Sequence, residues 1–127
     1  MGETFWCGDD RVKFSNGATE LLFRHWLGRA EARPDTPGMT AVAAFLRHRI
    51  SACGDGGRAF GMNRDRFPAE LSAPETVSAM AVLIEESAAD ATQIGGIDWE
   101  PHHQEWWESR LRLLARAIRA WQSTLDR

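Results

Sequence analysis

The stretch PHHQEWWESRLRLLARAIRAWQSTL, residues 101–125, has the clearest periodicity in the chain. Its large apolar side chains recur at steps of three and four, and they stay within about 40° of one direction around a helix axis. Glutamate and arginine side chains occupy the other side. The pattern predicts a long helix from near Pro101 to about Leu125, with a core-facing stripe of Trp107, Leu111, Leu114, Ile118, Trp121 and Leu125.

Three more helices are predicted upstream of this one. Apolar side chains at helical spacing favour a first helix over about 18–32 and a second over about 36–53, which the glycine-rich stretch 54–57 ends. Residues 72–75 read Ser-Ala-Pro-Glu, the composition of a capping box in which the serine caps a third helix. Val82 and Leu83 fall among the acidic residues of that helix, which is therefore either covered on two sides or exposes an apolar spot.

The first residues of the chain predict a short β-hairpin. Two runs that contain apolar residues, 5–7 and 12–14, flank Gly8, Asp9 and Asp10, a combination typical of a tight turn. Together with four helices, the hairpin indicates a mainly α protein, of the α or α+β class. The length of 127 residues fits one globular domain spanning 1–127.

Composition indicates an ordinary globular protein, with 43% hydrophobic and 26% charged residues. Two cysteines, Cys7 and Cys53, are too few for a disulfide framework, so free thiols are expected. The first residues lack the basic and apolar regions of a signal peptide, and no apolar run approaches the length of a membrane span. We therefore expect a cytoplasmic protein, and fourteen arginines against one lysine are typical of a GC-rich bacterial genome.

The acidic segment, residues 67–109, is the strongest functional signal. It holds nine carboxylates and no Lys or Arg, whereas the rest of the chain holds all fifteen basic residues and the other nine carboxylates. If these acids served only solubility, arginines would be interspersed among them, as they are elsewhere in the chain. The segment therefore predicts an acidic surface that binds a basic partner.

Two tryptophans of the acidic segment are the predicted anchors of this surface. Trp99 precedes the last helix and Trp106 lies on the flank of its apolar stripe, and both stand beside carboxylates. An indole with a neighbouring carboxylate can take an incoming Arg or Lys by stacking and ion pairing together. The predicted partner-binding residues are Glu75, Leu83, Glu86, Asp90, Trp99, Glu100, Glu105, Trp106 and Glu108.

No motif predicts catalytic, cofactor-binding or metal-binding residues. His102 and Glu105 share a helical face, but no HExxH pattern or further ligand accompanies them. The glycines of 54–57 follow a helix, whereas a phosphate loop precedes one. Cys53 falls on the buried stripe of the second helix, where a thiol is usually inert, and no serine stands in a Gly-x-Ser-x-Gly turn.

In size, charge and lack of catalytic machinery the chain is similar to small bacterial immunity proteins. Such proteins neutralise a toxin made by the same cell by masking its basic active face. The similarity implies a non-catalytic inhibitor, immunity protein or antitoxin-like factor, whose basic partner is a cognate toxin. We expect neither nucleic acid nor a membrane as partner, because the formal net charge is −3 and the arginines of the last helix share their face with glutamates.

Two alternatives remain open at this point. One is a small enzyme or ligand-binding domain whose pocket lies between the hairpin and the first and last helices, lined by Trp6, Trp26, His25 and His103. The other is a homodimeric structural module that associates through Val82 and Leu83. The sequence does not decide between a monomer and a homodimer.

Overall fold

The computed structural model describes residues 2–51 and 58–125. Within these ranges the protein has an N-terminal β-hairpin followed by four α-helices, so the predicted mainly α class with a short hairpin is confirmed. Short 3-10 turns at Ala69–Leu71 and Ala91–Gln93 come before and after α3. The elements are β1 (Gly2–Cys7), β2 (Asp10–Ser15), α1 (Asn16–Glu31), α2 (Met39–Ser51), α3 (Pro74–Ala89) and α4 (Pro101–Leu125).

The hairpin closes with a two-residue turn. Cys7 pairs with Asp10, so Gly8 and Asp9 form the turn, and Gly8 has a φ of 64°, which glycine adopts without steric cost. Phe5 and Phe14 lie on the inner face of the hairpin, are almost fully buried, and meet edge to face with ring centroids 5.7 Å apart. The hairpin thus covers one side of the helical core.

A buried carboxylate joins the hairpin to the chain beyond α2. Glu3 lies on the inner face, only 6% exposed, and it accepts the backbone N–H groups of Arg58 and Ala59. Its second oxygen lies 3.4 Å from Nε of Arg58. A buried charge of this kind is tolerated only when it is paired and hydrogen-bonded, as it is in this structure.

A buried hydrogen bond joins α1 to α3 within the core. Trp26 on α1 is fully buried, and its indole N–H donates to Oγ of Ser87 on α3 at 3.1 Å. On α3 both Leu83 and Ile84 are fully buried, while Val82 is half-buried. Of the two readings left open for the third helix, coverage on two sides is therefore the one observed.

Two predicted helix starts are corrected. Helix α2 begins at Met39 instead of Thr36, because Gly38 has a φ of 84°, outside the helical region. Helix α3 begins at Pro74 with Ala73 at the N-cap and no side-chain cap, so the predicted capping box does not form. The Ser72 hydroxyl instead donates to the carbonyl oxygen of Ala69 at 2.5 Å, at the end of a 3-10 turn.

Helix α4 has the predicted bounds and packs antiparallel to α3. Four members of its stripe, from Trp107 to Ile118, are buried, which confirms the central part of the predicted face. Trp121 is half-buried and Leu125 is 41% exposed, so the stripe ends earlier than predicted. No described helix is long and apolar enough to cross a lipid bilayer.

Of the two cysteines, only Cys7 lies within the described residues. The Cys7 thiol is free and buried, and burial, together with the nearby charge of Asp10, raises its pKa to about 11. A thiol with such a pKa is almost entirely protonated at neutral pH and is inert packing. Cys53, where α2 was predicted to end, lies outside the described residues. The glycines of 54–57 lie outside them as well.

Candidate protein-binding surface

The carboxylates of the acidic segment do not form one continuous surface. Glu75 lies in the first turn of α3, whereas Asp90 follows its last residue. Since a helix rises about 1.5 Å per residue, the two backbones are about 22 Å apart along the helix axis. Glu75 is therefore separated from the predicted contacts near the start of α4. The sequence predicted a single patch, whereas the acids of the segment lie at both ends of α3.

Two of the nine acids are paired with arginines from outside α3. Glu86 accepts hydrogen bonds from Arg33 at 2.6 Å and from Arg29 at 3.3 Å. Glu85 binds the guanidinium of Arg119 through two bonds of 2.6 and 2.8 Å, and these hydrogen bonds hold the pKa of Glu85 below its usual value. Glu86, a predicted partner contact, already has its counter-charges within the chain.

The remaining predicted acids gather at one end of the helix pair. Because α3 and α4 are antiparallel, the C-terminal end of α3 and the N-terminal half of α4 lie at the same end of the molecule. Throughout residues 2–51 and 58–125, no lysine or arginine forms an ion pair with the acids at this end. Nδ1 of His102 lies 3.6 Å from a carboxylate oxygen of Glu100. We call the group the acidic end: Asp90, Asp98, Glu100, Glu105 and Glu108.

Leu83 was predicted to contact the partner, and this prediction is wrong. Its side chain is fully buried in the core, so no partner can reach it. The reason is the width of the apolar face of α3, which packs against α4 on one side and against α1 and α2 on the other. For the same reason Leu83 cannot be a contact in the alternative of a homodimer through Val82 and Leu83.

Trp99 lies at the acidic end with a fixed orientation. Its indole N–H donates to the carbonyl oxygen of Ile94 at 3.2 Å, and its ring meets Trp107 edge to face with centroids 6.1 Å apart. The side chain is half-buried, so part of it still reaches solvent, and its neighbours in sequence are the exposed Asp98 and Glu100. Trp99 therefore keeps the position that a contact residue requires.

Trp106 is more deeply committed to the fold than predicted. Its ring packs edge to face against Phe14 of the hairpin, with centroids 5.4 Å apart. The guanidinium carbon of Arg110 lies 3.8 Å from the centroid of the same ring, so a cation from this chain is already stacked on it. Trp106 therefore has a structural role, and its contact with a partner stays a prediction. The spacing from Trp106 to Arg110, one helical turn, was a readable signal for the contact between these two side chains.

The histidines at the start of α4 stack on each other. The rings of His102 and His103 have centroids 4.1 Å apart, and the Nδ1–H of His103 donates to the carbonyl oxygen of Asp98 at 2.7 Å. Among the residues that the structure describes, no three His, Cys, Asp or Glu side chains are placed to share a metal ion. The arrangement stabilises the turn that leads into α4.

Among the described residues, the four side chains predicted to line a ligand pocket do not share one lining. Trp26 is fully buried in the core, whereas Trp6 lies on the outer face of the hairpin. The structure has instead an open groove of about 520 Å³ between the start of α2, the start of α3 and the end of α4, with Pro37, Val82 and Gln122 in its lining. This groove contains none of the four residues proposed for the pocket.

One feature of the surface was missed by the sequence analysis. Trp6 lies beneath the guanidinium groups of Arg11 and Arg66, whose central carbons are 4.5 and 4.0 Å from its ring centroid. The contact with Arg11 could have been found from the hairpin register, because the two residues are cross-strand partners. The contact with Arg66 depends on tertiary packing and had no local signal.

Comparisons with protein-family models, with curated proteins and with solved structures find no match. Function therefore has to be argued from the charges and contacts of the chain itself.

Proposed function

We propose that this chain is a non-catalytic protein-binding protein that masks a basic partner with its acidic end. The best-supported role is that of an inhibitor or immunity protein, antitoxin-like, with a cognate toxin as the partner. A cytoplasmic location and a bacterial origin belong to the same proposal, as does the absence of a cofactor, a nucleic acid or a membrane from its function.

The observation that carries the proposal is the uneven pairing of the acids. Where α3 passes α1 and α4, its two neighbouring glutamates are matched by three arginines. At the acidic end, five carboxylates have no such match among the described residues, although Arg112 and Arg116 stand on the same helix without an ion pair. Unpaired charges of one sign raise the local potential and steer an oppositely charged protein toward this end.

A rigid indole adds desolvated contact to this electrostatic attraction. Trp99 is held by its own hydrogen bond and by Trp107, so little side-chain freedom is lost when a partner covers its exposed part. Tryptophans in such positions dominate the energy of many interfaces. Trp99 thus takes the role for which Trp106 had also been predicted.

A charge-reversal pair tests the proposal. The double variant Glu100→Lys/Glu105→Lys changes the acidic end, and Glu70→Lys/Glu75→Lys makes the same change in net charge elsewhere, at exposed acids that form no ion pair within the described ranges. Each protein is immobilised and incubated with extract of the cells that encode it, at low and at high salt. We expect wild type and the Glu70/Glu75 variant to retain the same basic protein at low salt, and the Glu100/Glu105 variant to lose it.

The same experiment can contradict the proposal. Equal capture by both double variants would show that the acidic end is not the contact. Retention that does not weaken at high salt would remove the electrostatic mechanism, because surface charge attraction is screened over about 10 Å at ordinary ionic strength.

A further inference from the structure

The outer face of the hairpin carries an indole with two arginines stacked on it. Trp6 is half-buried, while Arg11 and Arg66 are exposed. Their guanidinium carbons lie 4.5 and 4.0 Å from the ring centroid, within the range of a cation–π contact. Lys13 lies two residues beyond Arg11 and therefore on the same face of the strand, where it is also exposed.

Backbone contacts fix the position of this group. The N–H of Trp6 donates to the carbonyl oxygen of Phe60 at 3.3 Å, and its own carbonyl accepts the N–H of Met62 at 2.8 Å. A Cβ at Gly61 would lie 2.9 Å from Cβ of Trp6 and 2.8 Å from Cβ of Arg66. The absence of a side chain at Gly61 is therefore what allows the stem of Arg66 to approach the indole.

The hydrogen-bond donors of these cations have no acceptor in the part of the chain that the structure describes. Across 2–51 and 58–125, the side chains of Arg11, Arg66 and Lys13 make no ion pair and no side-chain hydrogen bond. By contrast, the Arg58 guanidinium contacts two glutamates. Stacking on an indole restrains the plane of a guanidinium and leaves its N–H edges free, so the two arginines are oriented to receive an anion.

The acids nearest in sequence, Asp9, Asp10 and Asp65, form no ion pair with these cations among the described residues. Asp10 pairs with Cys7, which places it on the opposite face of the hairpin from Trp6, and its charge acts on the Cys7 thiol. The exposed carboxylate of Asp65, beside Arg66, pairs with no cation in the part of the chain that the structure describes.

We infer that the outer face of the hairpin is a second docking surface, opposite in charge to the acidic end, which binds a short carboxylate-rich segment of a protein partner. Guanidinium forks match carboxylates in bidentate geometry. The face is small, since Arg11 and Lys13 are only about 7 Å apart along the strand.

The length of the face favours a short peptide over a nucleic acid. At its α4 side Arg110 donates to the carbonyl oxygen of Lys13 at 3.3 Å, and α4 continues from there into Glu108 and Glu105. An extended phosphate backbone would run from the hairpin onto these acids and be repelled at distances within the Debye length, about 8 Å at physiological salt. A few carboxylates fit within the basic face alone.

The probe for this inference is a fluorescein-labelled hexaglutamate peptide, titrated at low salt and followed by anisotropy. Two-dimensional ¹H–¹⁵N spectra report the indole N–H of Trp6 and the Nε–H groups of Arg11 and Arg66. The variants are Arg11→Gln and Arg66→Gln, and the matched control is Arg112→Gln on α4, which removes one exposed arginine that forms no ion pair among the described residues. All have the same net charge.

We expect the peptide to shift the three side-chain signals, and each hairpin variant to weaken binding about three- to tenfold, with the Arg112 control within about a factor of two of wild type. Gly61→Ala keeps every charge but displaces Arg66, so it should weaken binding as Arg66→Gln does. If Gly61→Ala melts early, Arg66→Gln still decides the result, because it leaves the backbone unchanged.

Three outcomes would overturn the inference. The peptide could leave the Trp6 and arginine signals unmoved, or the Arg112 control could lose as much affinity as the hairpin variants. In the third, a twelve-nucleotide single-stranded DNA would shift the same signals at lower concentration than the peptide, which would make the surface a nucleic-acid contact.

Discussion

The guanidinium of Arg110 lies over the ring of Trp106, with 3.8 Å between its central carbon and the ring centroid. Its Nε–H also donates to the carbonyl oxygen of Lys13, so one arginine links α4 to the hairpin through both its plane and its edge. Trp106 and Arg110 together hold the hairpin onto the start of the long helix. Trp106, which the sequence suggested as a partner contact, thus also has a role in the fold.

The first prediction concerns Trp106. Trp106→Ala removes the contacts with Phe14 and Arg110, and we expect the free energy of unfolding to fall by about 2–4 kcal/mol, as for other large aromatic truncations. Urea denaturation measures the loss. Arg110→Gln, which removes only the stacked cation and its hydrogen bonds, should cost about 1 kcal/mol, and an equal cost for both variants would show that the ring itself contributes little.

The predictable part of this fold is the part decided by local periodicity. The bounds of α4 followed from its apolar stripe, and the hairpin followed from two short runs around a Gly-Asp-Asp turn. The start of α2 was missed because Gly38 adopts a positive φ and lies so close to the first turn of α3 that a side chain would not fit there. A turn of this kind depends on packing between elements distant in sequence.

The candidate site was harder to predict because charge pairing is a tertiary property. The acidic segment contains no arginine, yet Arg29 of α1 and Arg33, two residues beyond the end of that helix, reach Glu86 on α3. Counting charges along the sequence cannot show which acids will meet arginines from another helix. At the start of α4, by contrast, no arginine or lysine of the described ranges pairs with the acids.

The second prediction compares two glycines that differ in backbone conformation and in surroundings. A Cβ at Gly38 would lie 2.4 Å from the carbonyl oxygen of Glu75, and its φ of 84° disfavours any other residue. Gly28 lies inside α1 with open space around the same position. We expect Gly38→Ala to destabilise the protein by roughly 2 kcal/mol or more and Gly28→Ala to stabilise it by about 0.5–1 kcal/mol.

Thermal melts followed by circular dichroism compare these two variants with wild type. A small domain shifts its melting temperature by several degrees for each kcal/mol, so the opposite signs are easily resolved. If Gly38→Ala melts like wild type, the close approach between the α2 and α3 starts is not present in solution.

The third prediction concerns the hydrogen bond between Trp26 and Ser87. Both residues are fully buried, and the Ser87 hydroxyl donates in turn to the carbonyl oxygen of Ile84 at 2.7 Å. Ser87→Ala leaves the indole N–H without a partner inside the core, and we expect a loss of about 1–3 kcal/mol in the free energy of unfolding.

A double-mutant cycle separates this bond from the packing of the ring. Trp26→Phe removes the donor and some volume, and the double variant with Ser87→Ala removes both partners. We expect the losses to be less than additive by about 1 kcal/mol, since the second substitution no longer strands a buried polar group. Strict additivity would mean that the bond contributes nothing measurable.

The fourth prediction is a loss of stability in mild acid caused by His25. This side chain is half-buried on α1, and its Nε2 atom is buried and has no hydrogen-bond partner among residues 2–51 and 58–125. Burial and then the charge of Arg29 lower the pKa of His25, against the opposing pull of Asp90 and Glu86. The folded protein therefore favours the neutral ring, and its contribution is present above the unfolded pKa of about 6.5 and is lost as the pH falls below it.

Urea midpoints measured between about pH 7.5 and about pH 5.5 test this effect. We expect the wild-type midpoint to fall across this range and His25→Gln to fall less, because glutamine cannot take up a proton. His48→Gln, at an exposed position on α2, is the matched control and should follow the wild-type slope. A midpoint that falls equally in wild type and in His25→Gln would assign the acid sensitivity to other groups. The folded and unfolded states would then bind the same number of protons at residue 25.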